Sequence, residues 1–330
     1  MKDLTCEFAG LKLKSPVIAG SCGLTSSVEH IKEIEENGAG AVVLKSIFEE
    51  EITSEYDELL AENGKDSAYR ENLDYFDFKI KQDNINNYIT LIKEAKQTVS
   101  IPVIASINCV SSHEWTYFAK KIEDAGADGL ELNIFIAPTD TSKSSEEKEK
   151  IYFDIIDEIT SKLHIPVIVK MSYYFTDLGG MIKKLSETKI KGLVLFNRFF
   201  SPDIDIDNHI VVPVNIFSTP NELPTSLRWI AIASENAKCD LAASTGVHNG
   251  EAVIKEILAG AKAVQIASAM YKTGIHVIKE MTSDIEKYME EKNYDKLAQF
   301  RGLMSYKNIS NPALYERMQF MRYFGAKNTN

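Results

Sequence analysis

Two lysines close otherwise apolar runs, Ala41–Lys45 (AVVLK) and Pro166–Lys170 (PVIVK). A charged side chain ending a hydrophobic segment is costly unless it is solvated or partnered. Lys45 and Lys170 therefore point to a site that stabilises negative charge. Other apolar runs lead into Ser21, Ser46, Asn108, Asn133, Ser172, Asn197 and Arg198. Further along, Ala243–Gly250 reads ASTGVHNG and Ala267–Ala269 reads ASA. Small residues and glycine let backbone N–H groups close on a phosphate, and a helix starting just after adds a favourable dipole. Thr245, Gly246, Ala267 and Ser268 are thus candidates for a phosphate cradle. The four cysteines and six histidines are scattered, without C-x-x-C or H-E-x-x-H spacing, so no protein metal site is expected.

The elements that must position these residues are legible from periodicity. Eight short, almost continuously apolar runs recur: 16–20, 41–45, 102–106, 128–133, 166–170, 192–197, 239–243 and 263–267. Such runs mark parallel strands buried on both faces. Between them, 28–37, 114–125, 151–163, 177–188 and 251–259 repeat their apolar residues with helical spacing. Asn37-Gly38, Ala125-Gly126 and Ala259-Gly260 supply helix C-caps just before strands. Eight strands alternating with helices predict an α/β fold, a (β/α)8 TIM barrel with its active site at the strand C-termini.

Three stretches depart from the repeating unit. Residues 4–14 alternate about Gly10 and predict an N-terminal β-hairpin plugging the barrel's bottom. Residues 47–85 and 198–219 are long insertions after strands two and six, part of the first being helical by its pattern. Both sit at the mouth end and are expected to act as lids. The tail, 293–330, is expected to be a C-terminal helical extension, and 1–330 a single domain.

With 37 Lys and Arg against 48 Asp and Glu, the formal charge is −11, which disfavours nucleic acid as a partner. An apolar fraction of 44% with 26% charged residues is that of a globular chain binding a small-molecule substrate. There is no apolar run long enough for a membrane span, and the start, MKDLTCEFAG, lacks a signal-peptide pattern. A cytoplasmic protein is expected, with no membrane partner.

The ordered segments 11–17 (LKLKSPV), 44–46 (LKS), 127–133 (ADGLELN), 166–172 (PVIVKMS), 192–197 (GLVLFN) and 259–266 (AGAKAVQI) carry a family resemblance. The chain resembles the soluble, FMN-dependent branch of the dihydroorotate dehydrogenase family over nearly its whole length. The resemblance implies dihydroorotate oxidation in pyrimidine biosynthesis, or action on a related small carboxylate, with FMN as cofactor and a homodimer as assembly. It would set Ala19, Gly20 and Ser21 against the flavin, with Lys45 and Ser46 at its ring edge and ribityl chain. Lys170 would stabilise the anionic reduced ring, while Asn108, Asn133 and Asn197 would bind flavin or substrate. Thr245, Gly246, Ala267 and Ser268 would hold the phosphate.

The chain also departs from the family pattern. After strand four the soluble branch reads Asn-x-Ser-Cys-Pro-Asn, with Cys (Ser elsewhere) as general base. Here 133–140 reads NIFIAPTD, with no Cys or Ser between the asparagine and the proline. Thr139 and Asp140 are the loop's remaining substrate and acid–base candidates, Asp140 being favoured on pKa grounds. Arg198 replaces the family's Ser/Thr after Asn197 and could clamp a carboxylate. Cys22 and Cys109 also fall near the mouth. Two further readings stay open: a non-redox, phosphate-binding isomerase or lyase barrel, and a non-catalytic barrel that holds flavin or a metabolite.

Overall fold

The computed structural model describes residues 2–48, 73–109, 115–136, 138–199 and 201–316. The chain opens with an antiparallel hairpin of β1 (Cys6–Phe8) and β2 (Leu11–Leu13), followed by β3 (Val17–Ala19), α1 (Val28–Glu36), β4 (Ala41–Val43) and β5 (Ile47–Phe48). There follow α2 (Leu73–Thr98), β6 (Val103–Cys109), α3 (Trp115–Asp124), β7 (Gly129–Ile134), α4 (Ser145–Thr160), β8 (Val167–Met171), α5 (Leu178–Ser186) and β9 (Gly192–Leu195). After a second hairpin, β10 (Ser201–Asp205) and β11 (Ile210–Val214), come α6 (Leu223–Ala233), β12 (Asp240–Ser244), α7 (Gly250–Ala259), β13 (Ala263–Ile266), α8 (Ser268–Thr273) and α9 (Val277–Glu291).

Pairing runs in parallel through β3, β4, β6, β7, β8, β9, β12 and β13, and β13 returns to β3 with Val264 opposite Val17. The ring is closed, as the eight apolar runs predict. Closure removes sheet edges and turns alternate residues of each strand into the barrel. The lower interior is apolar: Ile18, Val43, Ile104, Ile168 and Val194 pack with Phe8 and Leu13 of the first hairpin. That hairpin turns through Ala9 (φ 53°) and Gly10 (φ 80°), the paired positive φ of a tight two-residue turn. Ala9 N–H donates to the Asp240 carboxylate at 2.9 Å, which fastens the plug to β12.

The insertions divide. Residues 49–72 of the first lie outside the described residues, and its far part is the N-terminal end of α2. The second contains the β10–β11 ribbon, whose Ile204, Ile210 and Val211 are exposed. Of the expected helical tail, residues 317–330 lie outside the described residues, and the rest is different in character. Residues 293–316 are mostly turns, with one 3-10 turn at Leu297–Gln299 and a short α10 (Ala313–Glu316). Its backbone bonds go sideways instead: Gly302 and Met304 N–H donate to Ile257 and Leu258 of α7, and Tyr306 N–H to Ala231 of α6. A segment holding Gly302, Asn308, Ser310, Asn311 and Pro312 favours such turns over helix. Among the described residues, no helix is long and apolar enough to cross a membrane.

One ionisable group is buried away from the mouth. Glu256 on α7 accepts from Ser226 Oγ at 2.6 Å, while its other oxygen has no partner. Burial pushes its pKa up to about 8. A raised carboxyl pKa gives stability that is complete below the unfolded value near 4.5 and is lost as pH rises toward 8. Each pH unit in that window costs about 1.4 kcal/mol. Glu256→Gln should therefore melt close to wild type near pH 5 and well above it at pH 8. Thermal melts at the two pH values check this, and an identical offset at both would rule it out.

Candidate active site

The upper half of the barrel is polar. Ser106 on β6 stands in register with Glu131 on β7, Asn108 with Asn133, and Asn133 with Lys170 on β8. Period-two alternation sends Glu131 to the same face as Asn133, and Ser106 to the same face as Asn108. Lys170 Nζ donates to Gln265 Oε1 at 2.9 Å, and Gln265 Nε2 donates to Glu131 Oε2 at 2.5 Å. All three side chains are buried. A cation and a carboxylate are thus joined through one amide inside the barrel, which is how a buried charge is kept affordable. Glu131 Oε1 has no partner.

A second chain of contacts crosses from the first strand. Ser46 N–H donates to Ser21 Oγ at 2.9 Å, and Ser46 Oγ lies 2.7 Å from Ser106 Oγ. Tyr88 of α2 completes it: its hydroxyl accepts from Ser106 N–H at 2.8 Å and donates to the Ser106 carbonyl at 3.3 Å. The phenol thereby stands in for a strand partner where β4 breaks before β5. Burial holds its pKa above the usual tyrosine range.

At the ends of β12 and β13 the backbone is shaped for an anion. Thr245 (φ 77°) and Gly246 (φ 82°) both adopt left-handed conformations. Among the described residues, the N–H groups of Gly246, Val247, Ala267 and Ser268 donate to no protein acceptor. Successive free N–H groups of this kind form an anion-binding concavity. Glycine at 246 also serves the fold, since a Cβ there would stand 2.2 Å from Leu223 N at the start of α6. Its smallness is therefore not reserved for a ligand. The end of the second insertion folds over the cradle: Ser218 N–H donates to Ser268 Oγ at 2.9 Å, and Lys272 Nζ to the Ser218 carbonyl at 2.8 Å. Ser218 Oγ meets His248 Nε2 at 2.9 Å, and burial lowers the His248 pKa.

A cavity of about 150 Å³ opens between these groups, lined among others by Ser21, Lys170, Asn197, Gly246, Gln265 and Ser268. The sequence profile of the dihydroorotate dehydrogenase family matches residues 3–289. The chain belongs to the dihydroorotate dehydrogenase family. It is 29% identical over 308 residues to dihydroorotate dehydrogenase B (NAD(+)), catalytic subunit, of Thermoplasma volcanium, covering 92% of this chain and 99% of that one. A putative dihydroorotate dehydrogenase A (fumarate) of Aeropyrum pernix is 26% identical, over 91% and 97% of the two chains. The NAD-dependent dihydropyrimidine dehydrogenase subunit PreA of Escherichia coli K12 is 22% identical, over 92% of this chain and 77% of its own. Membership makes the chain a dehydrogenase acting on CH–CH bonds. The relatives' names differ in the ring they act on, so family alone leaves the substrate open.

For this dihydroorotate dehydrogenase homologue, the structure gathers Ser21, Lys170, Asn197, Arg198, Thr245, Gly246, Ala267 and Ser268 around one cavity. Asn197 Nδ2 donates to Asn133 Oδ1, which draws Asn133 to the same mouth. Ala19 is buried at the end of β3, and Gly20 N–H continues the ladder to Ile266 at 2.8 Å. Ser46 and Asn108 occupy the polar layer, and Lys45 sits half-buried between β4 and β5, outside that cavity's lining.

Other candidates are placed differently from expectation. Thr139 and Asp140 are exposed and do not line the cavity. Asp140 Oδ1 accepts from Ser142 N–H at 2.9 Å and from its hydroxyl, an Asx turn leading into α4, and these bonds hold its pKa below the usual carboxylate range. The chain before it is hydrophobic: Ile134, the last residue of β7, is fully buried, and Phe135 lies on Phe199 at 3.9 Å between centroids. Arg198 is already engaged, with Nε 2.9 Å from Glu222 Oε1 and both terminal nitrogens on the carbonyls of Ile216 and Asn215. Burial pushes the Cys22 thiol pKa up, the reverse of an activated thiolate, and the Cys109 side chain lies outside the described residues. Sequence reasoning passed over Glu131, Gln265, Ser106 and Tyr88 as site residues. The first three carried a signal: each is a polar residue inside an otherwise apolar stretch of strand, and Glu131 and Ser106 share a face with Asn133 and Asn108.

Proposed function

We propose that this enzyme binds FMN in the mouth cavity and exchanges hydride with a small cyclic substrate. The observation carrying this reading is the Lys170 ammonium, fixed by Gln265 at the same cavity whose rim presents four backbone N–H groups without protein acceptors. That donor set fits the flavin phosphate at one end and an anionic ring at the other. FMN would supply a hydride acceptor whose reduced ring carries negative charge. Lys170 would hold a compensating cation beside it, already oriented and partly desolvated, so little reorganisation accompanies charge development. Gly246, Val247, Ala267 and Ser268 would bind phosphate through their N–H groups. Ala19, Gly20, Ser21, Lys45 and Ser46 would border the ring and ribityl chain, and Asn108, Asn133 and Asn197 would orient ring and substrate. The relatives named as subunits support an assembly with more than one chain; the form proposed for this enzyme is a homodimer acting in the cytoplasm.

The purified protein should be yellow, with an oxidised-flavin band that anaerobic photoreduction bleaches. FMN should bind far more tightly than riboflavin, which lacks the phosphate. A colourless protein that binds inorganic phosphate but neither flavin would overturn the redox reading in favour of a non-redox barrel.

A further inference from the structure

Beside the mouth cavity, and sharing Asn197, Arg198, Ser244 and Thr245 with it, lies a second pocket of about 110 Å³. A cavity of this order accommodates one six-membered ring. Its apolar wall is aromatic. Tyr173 and Tyr174 follow β8 with ring centroids 4.8 Å apart; Tyr173 meets Phe196 edge-on at 5.7 Å, and Tyr174 meets Phe199 at 5.3 Å. Tyr173 is 42% and Tyr174 47% exposed, a large area for two adjacent rings in a mouth already shaped for a ligand.

The charges of the pocket cancel. Among the described residues lining it, the charged side chains are Arg198 and Glu222, paired at 2.9 Å. The other Glu222 oxygen accepts from Thr219 N–H at 2.6 Å, so the carboxylate is held in place from both sides. Arg198 in turn is tied to the Asn215 and Ile216 carbonyls. A substrate carboxylate docking on this guanidinium would meet the fixed Glu222 carboxylate at close range, and the repulsion between like charges brought together weakens its binding. A neutral ring meets no such penalty and gains stacking against Tyr173 and Tyr174.

We infer that this pocket selects a flat, uncharged unsaturated ring and discriminates against a ring carboxylate, an assignment that deepens the flavin-dependent reading above and rests on it. Glu222 is the specificity determinant: it neutralises the Arg198 guanidinium, the cation that among the described residues lining this pocket would otherwise recruit an acid.

The matched probes benzamide and benzoate separate the alternatives. Calorimetric titration of the protein as purified should show benzamide binding at least about tenfold more tightly than benzoate. Glu222→Gln keeps an acceptor for Thr219 while freeing Arg198, and should raise benzoate affinity about tenfold or more with benzamide little changed. Tyr174→Ala should weaken benzamide. Equal binding of both probes to the wild type, or binding of neither, overturns the inference even if Glu222→Gln fails to fold. A yellow protein that binds both equally loses only this inference; a colourless one that still prefers benzamide loses the flavin reading and leaves the pocket's selectivity standing.

Discussion

Lys170→Ala should retain a folded barrel but bind or reduce flavin about a hundredfold less well. Removing one preorganised stabiliser of a developing anion costs roughly 10²–10³ in rate, and here the lost group is the ammonium aimed into the mouth cavity. The same change removes the cation nearest Glu131 in this network, leaving its buried carboxylate hydrogen-bonded to Gln265 alone among the described residues. Some loss of stability is therefore expected in the single variant, because an uncompensated buried charge is expensive. The double variant Lys170→Ala, Glu131→Gln should regain stability without regaining flavin reduction. Cofactor content, photoreduction rate and thermal melts read the two effects separately. Wild-type cofactor content and reduction rate in Lys170→Ala would mean that β8 does not face the flavin.

Dihydroorotate should be turned over weakly or undetectably by the wild type, even when dithionite reduces its flavin normally. Oxidation of that substrate requires a proton to leave C5 while hydride leaves C6, and general-base catalysis is worth roughly 10²–10⁴-fold. The end of β7 and the loop after it, where the family keeps its Cys or Ser, offer Ile134, Phe135 and Ile136, and the first two are committed to packing. Asp140 faces solvent and spends its carboxylate on Ser142. Steady-state assays with dihydroorotate check this directly. Vigorous turnover that persists in Asp140→Asn and Thr139→Ala would show that another group removes the proton.

The barrel was legible because its information is local and repeated. All eight observed barrel strands overlap the eight apolar runs, since a strand buried on two faces has no polar alternation to disguise it. The residues around the cavity were legible for a related reason: strand ends at the mouth are the one place where polar side chains inside a barrel are rewarded. What escaped depended on long-range partners. Whether Arg198 is free to clamp a substrate turns on Glu222, 24 positions away. Gln265 becomes part of the site only because Lys170 and Glu131 arrive from across the barrel, 95 and 134 positions away. Asp140 lies outside the cavity lining for a local reason, since its turn with Ser142 is written two residues downstream and competes with any catalytic use.

The first hairpin has a consequence for how the chain can be made. Phe8 and Leu13 leave the ribosome long before the last parts of the floor they seal, which is built from strands as late as β12 and β13. The bond that anchors the plug, Ala9 to Asp240, spans 231 positions, and the ring shuts only when β13 reaches β3. Until then β3 exposes an unpaired edge and the plug has no socket. Barrel closure is thus a late, long-range event in synthesis, with the loop-closure cost and aggregation exposure that such events carry. A chain stalled before residue 263 would display an apolar plug beside an open strand, the form in which a chaperone has most to recognise.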